Sequence, residues 1–154
     1  MRGRIVRKPY ISQNDCAEIL AITRKGKVLL IKSYRPELND YVYEIPSGTL
    51  NTGEAPKAAA KRELKEETGY VAGKMTHMFS GYPLLGYSDC KLHFFVATEL
   101  GRGSQQIEND ESIFVEEFEI GQIIRMFKAG KIKDLSVLTA IQYYGSVWPR
   151  VFGK

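Results

Sequence analysis

The chain has 154 residues, 44% apolar and 26% charged, which are ordinary proportions for a water-soluble globular fold and enough for one sizeable core. No run approaches the roughly eighteen apolar residues of a membrane span, and the basic start MRGRIVRKPYIS has no apolar stretch after it to make a secretory signal, so a cytoplasmic location is expected. The formal net charge of +4 fits an anionic ligand such as a phosphate ester and, equally, weak nucleic-acid binding, although no basic stripe with interleaved aromatics supports the second.

In chain order, AEILAIT (17–23) and KVLLIKSY (27–34) are two apolar, β-branched runs joined by RKG, which predicts an antiparallel hairpin. YVYEIP is a short strand broken by Pro46, and a loop with two glycines follows to Glu54. A helix is predicted at about 56–68, then strands near 74–82, 91–98 and 112–118. Ile120, Ile123, Ile124 and Phe127 recur at helical spacing, and Asp134 is a good N-cap for a last helix carrying Leu138 and Ile141 on one face. The irregular alternation favours a mixed sheet covered by helices on both sides, in one domain spanning residues 1–154. Cys16 and Cys90 lack metal-ligand spacing and read as two reduced thiols. His77 and His93 fall within strand-like runs and carry no catalytic expectation.

The stretch AAAKRELKEETGY (58–70) is built of strong helix formers and ends on Gly69, where a helix would stop. Pro56 suits its first turn, because the missing N–H would have no intrahelical partner there. Glu63, Glu66 and Glu67 fall within an arc of roughly 100°. Lys57, Lys61 and Lys65 form a row on the opposite side, so those lysines cannot neutralise the arc, and compensation from outside the helix is expected. Crowded carboxylates on a rigid face suit a hard divalent cation, for which Mg²⁺ is the natural choice and Mn²⁺ a substitute. A glycine loop just ahead lets backbone groups approach both metal and phosphate. Metal, activated water and a held diphosphate together suggest phosphoanhydride hydrolysis.

The spacing from Gly48 to Tyr70 resembles the Nudix hydrolase box, G-x5-E-x7-R-E-U-x-E-E-x-G-U with U aliphatic. Gly48, Glu54, Arg62, Glu63, Leu64, Glu66, Glu67 and Gly69 stand at the required places, and Tyr70 replaces the last aliphatic residue. KSYRPELNDYVYEIPSG and FSGYPLLGYSDCKLHFFVAT, and beyond them IENDESIFVEEFEI, are similar to segments of the ADP-ribose pyrophosphatase branch. In these segments Ser33, Ser47 and Cys90 depart from the branch's usual residues.

The resemblance implies a Nudix-type α/β/α sandwich with a mixed β-sheet. It also implies Mg²⁺-dependent hydrolysis of a small nucleoside diphosphate linked to another moiety, ADP-ribose or another NDP-sugar, and it allows a homodimer. Glu63, Glu66 and Glu67 are then the metal ligands, with the Ser47 carbonyl, while Arg62 orients a carboxylate or pairs with Glu66. Glu54 ties the loop to the helix start. The base that activates water is Glu63 in some members; in the ADP-ribose branch it is a glutamate of a later loop, here Glu108 or Glu111. Arg35, leaving a strand just before a proline, is the candidate phosphate or sugar contact, and Gly48 lets substrate and metal come close. Two alternatives stay open: a nucleoside triphosphate pyrophosphohydrolase, which the same box serves, and a non-catalytic nucleotide-sugar sensor.

Overall fold

The computed structural model describes residues 9–103 and 113–147. Among these the chain runs β1 (Cys16–Ala21), β2 (Val28–Arg35), β3 (Asp40–Glu44), β4 (Ser47–Thr49), α1 (Pro56–Thr68), β5 (Tyr70–Gly81), β6 (Leu92–Arg102), β7 (Ile113–Phe118), α2 (Ile120–Lys128) and α3 (Leu135–Val147). The strands form two sheets, one ordered β4-β1-β6-β5 and the other β3-β2-β7. The first is mixed: β1 runs parallel to β6 and antiparallel to β4. The second is antiparallel throughout.

The expected β1–β2 hairpin is not formed. An isolated bridge, Ile22↔Val28, ties the two runs at the turn, after which they enter different sheets. The cause lies in their composition. Residues Ala17 to Ala21 are buried, as are Val28 to Ile31, so each run needs cover on both faces and a hydrogen-bonded neighbour at each edge. β1 finds β4 and β6; β2 finds β3 and β7.

Alternation along β1 sends its side chains to two cores. Leu20 and Ile22 join Leu30, Ile45 and Phe94 beneath α2 and α3, which contribute Ile123, Val137, Ala140, Ile141 and Tyr144. Ala17, Ile19 and Ala21 join Leu29, Phe95 and Ala97 beneath α1, which contributes Ala59, Ala60 and Leu64. Helices therefore cover both sides, as the sandwich requires.

α1 begins on Pro56 in its first turn, with Ala55 extended at the cap. It ends at Gly69, whose φ of 69° is left-handed and whose N–H donates to the Lys65 carbonyl at 2.9 Å. That reversal feeds the chain straight into β5, four residues earlier than the apolar pattern suggests. Ala59 and Ala60, both without exposed surface, let the helix axis lie close to the sheet. At the far end of the chain, Asp134 caps α3 by accepting from Ser136 N–H at 2.9 Å.

Cys16 and Cys90 are free thiols, yet their sulfurs come within 4.0 Å of each other because β1 lies beside β6.

Candidate active site

The carboxylate face of α1 meets the chain at β4. Strand β4 is pinned to β1 by the pairs Ala17↔Gly48 and Glu18↔Ser47, which hold the Ser47–Gly48 backbone under the second half of the helix. Ser47 N–H donates to Glu67 Oε2 at 2.9 Å. The Glu63 carboxylate lies over Gly48, where a built Cβ would fall 2.0 Å from Glu63 Cδ and 2.0 Å from Oε1. Only glycine leaves this seat open.

Arg62 is the centre of the charge network. Its Nη1 donates to Glu63 Oε1 at 2.6 Å and to Glu66 Oε2 at 3.0 Å. Its Nε and Nη2 form a two-point contact with Glu54, both at 3.0 Å, and Nη2 also reaches the Thr49 carbonyl at 3.1 Å. Glu54 closes the loop by accepting from Asn51 N–H at 2.9 Å. Glu54 therefore ties the loop to Arg62, in the second turn of the helix, and not to the helix start. The compensation expected from outside the helix comes largely from α1 itself, since Arg62 bridges two of the three clustered carboxylates.

These contacts move the proton affinities in opposite senses. The Glu54 contact, with Glu63 and Glu66, raises the Arg62 guanidinium further above its ordinary value. The same contact, helped by Asn51 N–H, lowers the Glu54 carboxyl. Burial raises Glu63 despite the pull of Arg62 in the other direction. A half-desolvated carboxylate among like charges gains from an added cation.

The donor set fits a hard divalent ion chemically: carboxylate oxygens of Glu63, Glu66 and Glu67, beside the Ser47–Gly48 backbone of β4. Among the described residues no three acidic, histidine or cysteine side chains already surround one point. Arg62 holds Glu63 and Glu66, and Ser47 N–H holds Glu67, so an ion would be seated by turning these side chains.

The other candidates divide. Arg35, at the end of β2, donates through Nε to both Glu44 oxygens at 3.0 Å. Burial pulls its basicity down, but Glu44 and the charge of Glu67 raise it overall. It lines a cavity of about 290 Å³ with Val42, Glu44, Lys133 and Asp134. Glu108 and Glu111 lie outside the described residues.

Two features escaped the sequence. Glu18 is only 8% exposed, and burial, with the Asp134 and Glu44 charges nearby, pushes its carboxyl up to about 8. Its position within an apolar strand run was the signal available. Tyr70, the departure from the box, carries the Arg102 guanidinium 4.5 Å above its ring and lines a cavity of about 720 Å³ with Lys32, Arg102, Phe114 and Glu117.

No helix among the described residues is long and apolar enough to cross a membrane. The chain is 34% identical over 143 residues to the ADP-ribose pyrophosphatase of Bacillus subtilis (strain 168), covering 92% of this chain and 77% of that protein. It is 31% identical to the methanol dehydrogenase activator of Bacillus methanolicus, again over 92% and 77%. It is 29% identical to the GDP-mannose pyrophosphatase of Escherichia coli (strain K12), over 89% of this chain and 76% of that one. A crystal structure of an ADP compounds hydrolase shares the fold, with a TM-score of 0.80 over 90% of this chain and 74% of that chain, at 22% identity. The NUDIX domain matches residues 14–139, and on that span, together with the Bacillus subtilis likeness, the chain belongs to the NUDIX domain family.

Proposed function

We propose that this chain is a Mg²⁺-dependent pyrophosphohydrolase acting as a single domain on a nucleoside diphosphate linked to a second moiety. ADP-ribose or another NDP-sugar is the substrate, and a nucleoside monophosphate and a sugar phosphate are the products. The observation that carries this reading is the close approach of Glu63 to Gly48, with Glu67 on the neighbouring Ser47 N–H. It brings the acidic helix face against the backbone of β4. The pyrophosphatase names of the relatives from Bacillus subtilis and Escherichia coli support the substrate class.

Glu63, Glu66, Glu67 and the Ser47 carbonyl are assigned to the metal, for which Mn²⁺ can substitute. Held by these residues, such an ion would supply Lewis-acid stabilisation of the phosphoanhydride and a more acidic water. Arg62 holds the carboxylates in place, and Gly48 keeps the approach clear. Arg35 takes a phosphate or the terminal sugar at the mouth of its cavity. Glu63, which Arg62 holds at 2.6 Å beside the Gly48 backbone, is assigned to the metal. The water-activating base is accordingly assigned to Glu108 or Glu111.

The test is a side-by-side assay of ADP-ribose, NDP-sugars and nucleoside triphosphates with Mg²⁺, identifying the products. Release of nucleoside monophosphate and sugar phosphate supports the assignment. Inorganic pyrophosphate from triphosphates alone would overturn it.

A further inference from the structure

A second group of polar side chains lies on the four-stranded sheet. Asp15, just before β1, accepts at Oδ2 from His93 Nε2 at 2.9 Å. His93 Nδ1 lies 2.9 Å from Ser80 Oγ, and Ser80 Oγ lies 2.9 Å from His77 Nε2. The donors can be ordered along this chain. An ionised carboxylate only accepts, so neutral His93 carries its proton on Nε2, and Nδ1 is left to accept the Ser80 hydroxyl proton. Ser80 Oγ then accepts from His77 Nε2–H.

The backbone builds this group by two devices. Ser80 and His93 are partners across β5 and β6, and parallel pairing of Ala17 with His93 brings Asp15 alongside. Asp15 is oriented by Lys91 N–H, which donates to its Oδ1 at 3.1 Å. His77 and Ser80 are three residues apart, so regular alternation would send them to opposite faces. A bulge intervenes: His77 pairs with Phe95 while Phe79 pairs with Phe94. The extra residue turns both Met78 and Phe79 into the core under α2 and α3, and leaves His77 and Ser80 on one face. His77 is braced edge-on by Phe95, with ring centroids 5.3 Å apart.

We propose that Ser80, His93, Asp15 and His77 form a second catalytic site, in which Ser80 is a nucleophile toward small activated esters. Ser80 Oγ bonds to the ester carbonyl carbon, and its proton passes to His93 Nδ1. Asp15 stabilises the imidazolium that forms. His77 Nε2–H, no longer needed by Oγ, donates to the developing oxyanion. The carbon–oxygen bond to the leaving alcohol breaks and the alcohol takes the proton from His93, leaving acyl-Ser80. Water repeats the steps in reverse and releases the acid. Asp15 and His93 meet through His93 Nε2, and Ser80 meets Nδ1, so the two ring nitrogens exchange the roles they hold in the familiar serine-protease arrangement without altering the proton path. Ser80 and His77 are exposed, which suits small substrates.

The test uses the full chain and p-nitrophenyl acetate, following p-nitrophenolate release and mapping acetyl groups on peptides. The wild type should show an initial burst and an acetyl group on Ser80, and Ser80→Ala should lose both. His93→Gln should acetylate Ser80 about a hundredfold more slowly, the scale of general-base catalysis. Asp15→Asn, which favours the wrong tautomer, should also slow it. Circular dichroism and unchanged phosphoanhydride hydrolysis in Ser80→Ala and His93→Gln check the fold. If His93→Gln fails to fold, Asp15→Asn decides. Acetylation confined to lysines, or Ser80 labelling in a folded His93→Gln or Asp15→Asn variant at the wild-type rate, would overturn the proposal.

Discussion

The Glu63 carboxylate occupies the space a side chain on Gly48 would need, with its Cδ 2.0 Å from the position of a built Cβ. The atom in the way is the far end of a flexible side chain, so a methyl group at position 48 displaces Glu63 without unfolding the protein. Gly48→Ala should keep its melting temperature within a few degrees of wild type. It should lose about a hundredfold in kcat/KM, the scale of an ångström's misplacement. Steady-state kinetics on the best NDP-sugar, beside a thermal melt, checks both halves.

Arg62 answers three glutamates and a carbonyl with one planar group. Lysine keeps the charge but cannot make the paired contact with Glu54. Arg62→Lys should destabilise the protein by roughly 1–2 kcal/mol, since the network is partly screened by solvent. It should lower turnover as well, because Glu63 and Glu66 lose their common donor. Urea unfolding gives the first quantity, and a full recovery of both properties in the lysine variant would contradict the role.

Metal dependence separates Glu67 from the rest of the helix. Its carboxylate is held by Ser47 N–H, a contact the isosteric amide can partly keep. Glu67→Gln should therefore fold like wild type and lose most Mg²⁺-dependent turnover. Chelation should silence the wild type reversibly, with Mg²⁺ or Mn²⁺ restoring activity. Calorimetric titration with Mn²⁺ in the presence of nucleotide tests occupancy directly.

Glu18 makes stability depend on pH. Its carboxyl rises from an ordinary 4.5 to about 8 because it is buried near Asp134 and Glu44. The folded state therefore binds a proton that the unfolded chain releases. The stabilisation is fully present below about 4.5 and is lost as the pH rises through about 8. Glu18→Gln, which mimics the protonated form, should flatten this dependence and melt above wild type at alkaline pH. Thermal melts of both proteins across that window decide the matter, and parallel curves would refute it.

Much of α1 was legible in the sequence, because its signals are local: Pro56 at the start, Gly69 at the stop, and acidic residues at helical spacing. The Asp134 cap was legible for the same reason. The partition of β1 and β2 between two sheets was not, since an apolar run specifies burial and leaves its neighbour unnamed. The pairing of Arg62 with Glu66 was legible from their i, i+4 spacing, but its simultaneous reach to Glu54 and Glu63 was not, because it depends on how the loop folds back against the helix. The Asp15–His93–Ser80–His77 group was beyond reach altogether. Asp15 and His93 are 78 positions apart, and a single bulged residue decides which way His77 points.

The separation of β1 from β2 bears on biosynthesis. β1, the first strand among the described residues, is hydrogen-bonded on one edge by residues 47–49 and on the other by residues 92–97. It therefore stays open along one side until residues 92–97 have been made. A nascent or truncated product ending before β6 would present that apolar ribbon to other chains, a template for aggregation. Long-range pairing of this kind also slows folding, so the lag before β6 arrives is when a chaperone has most to offer.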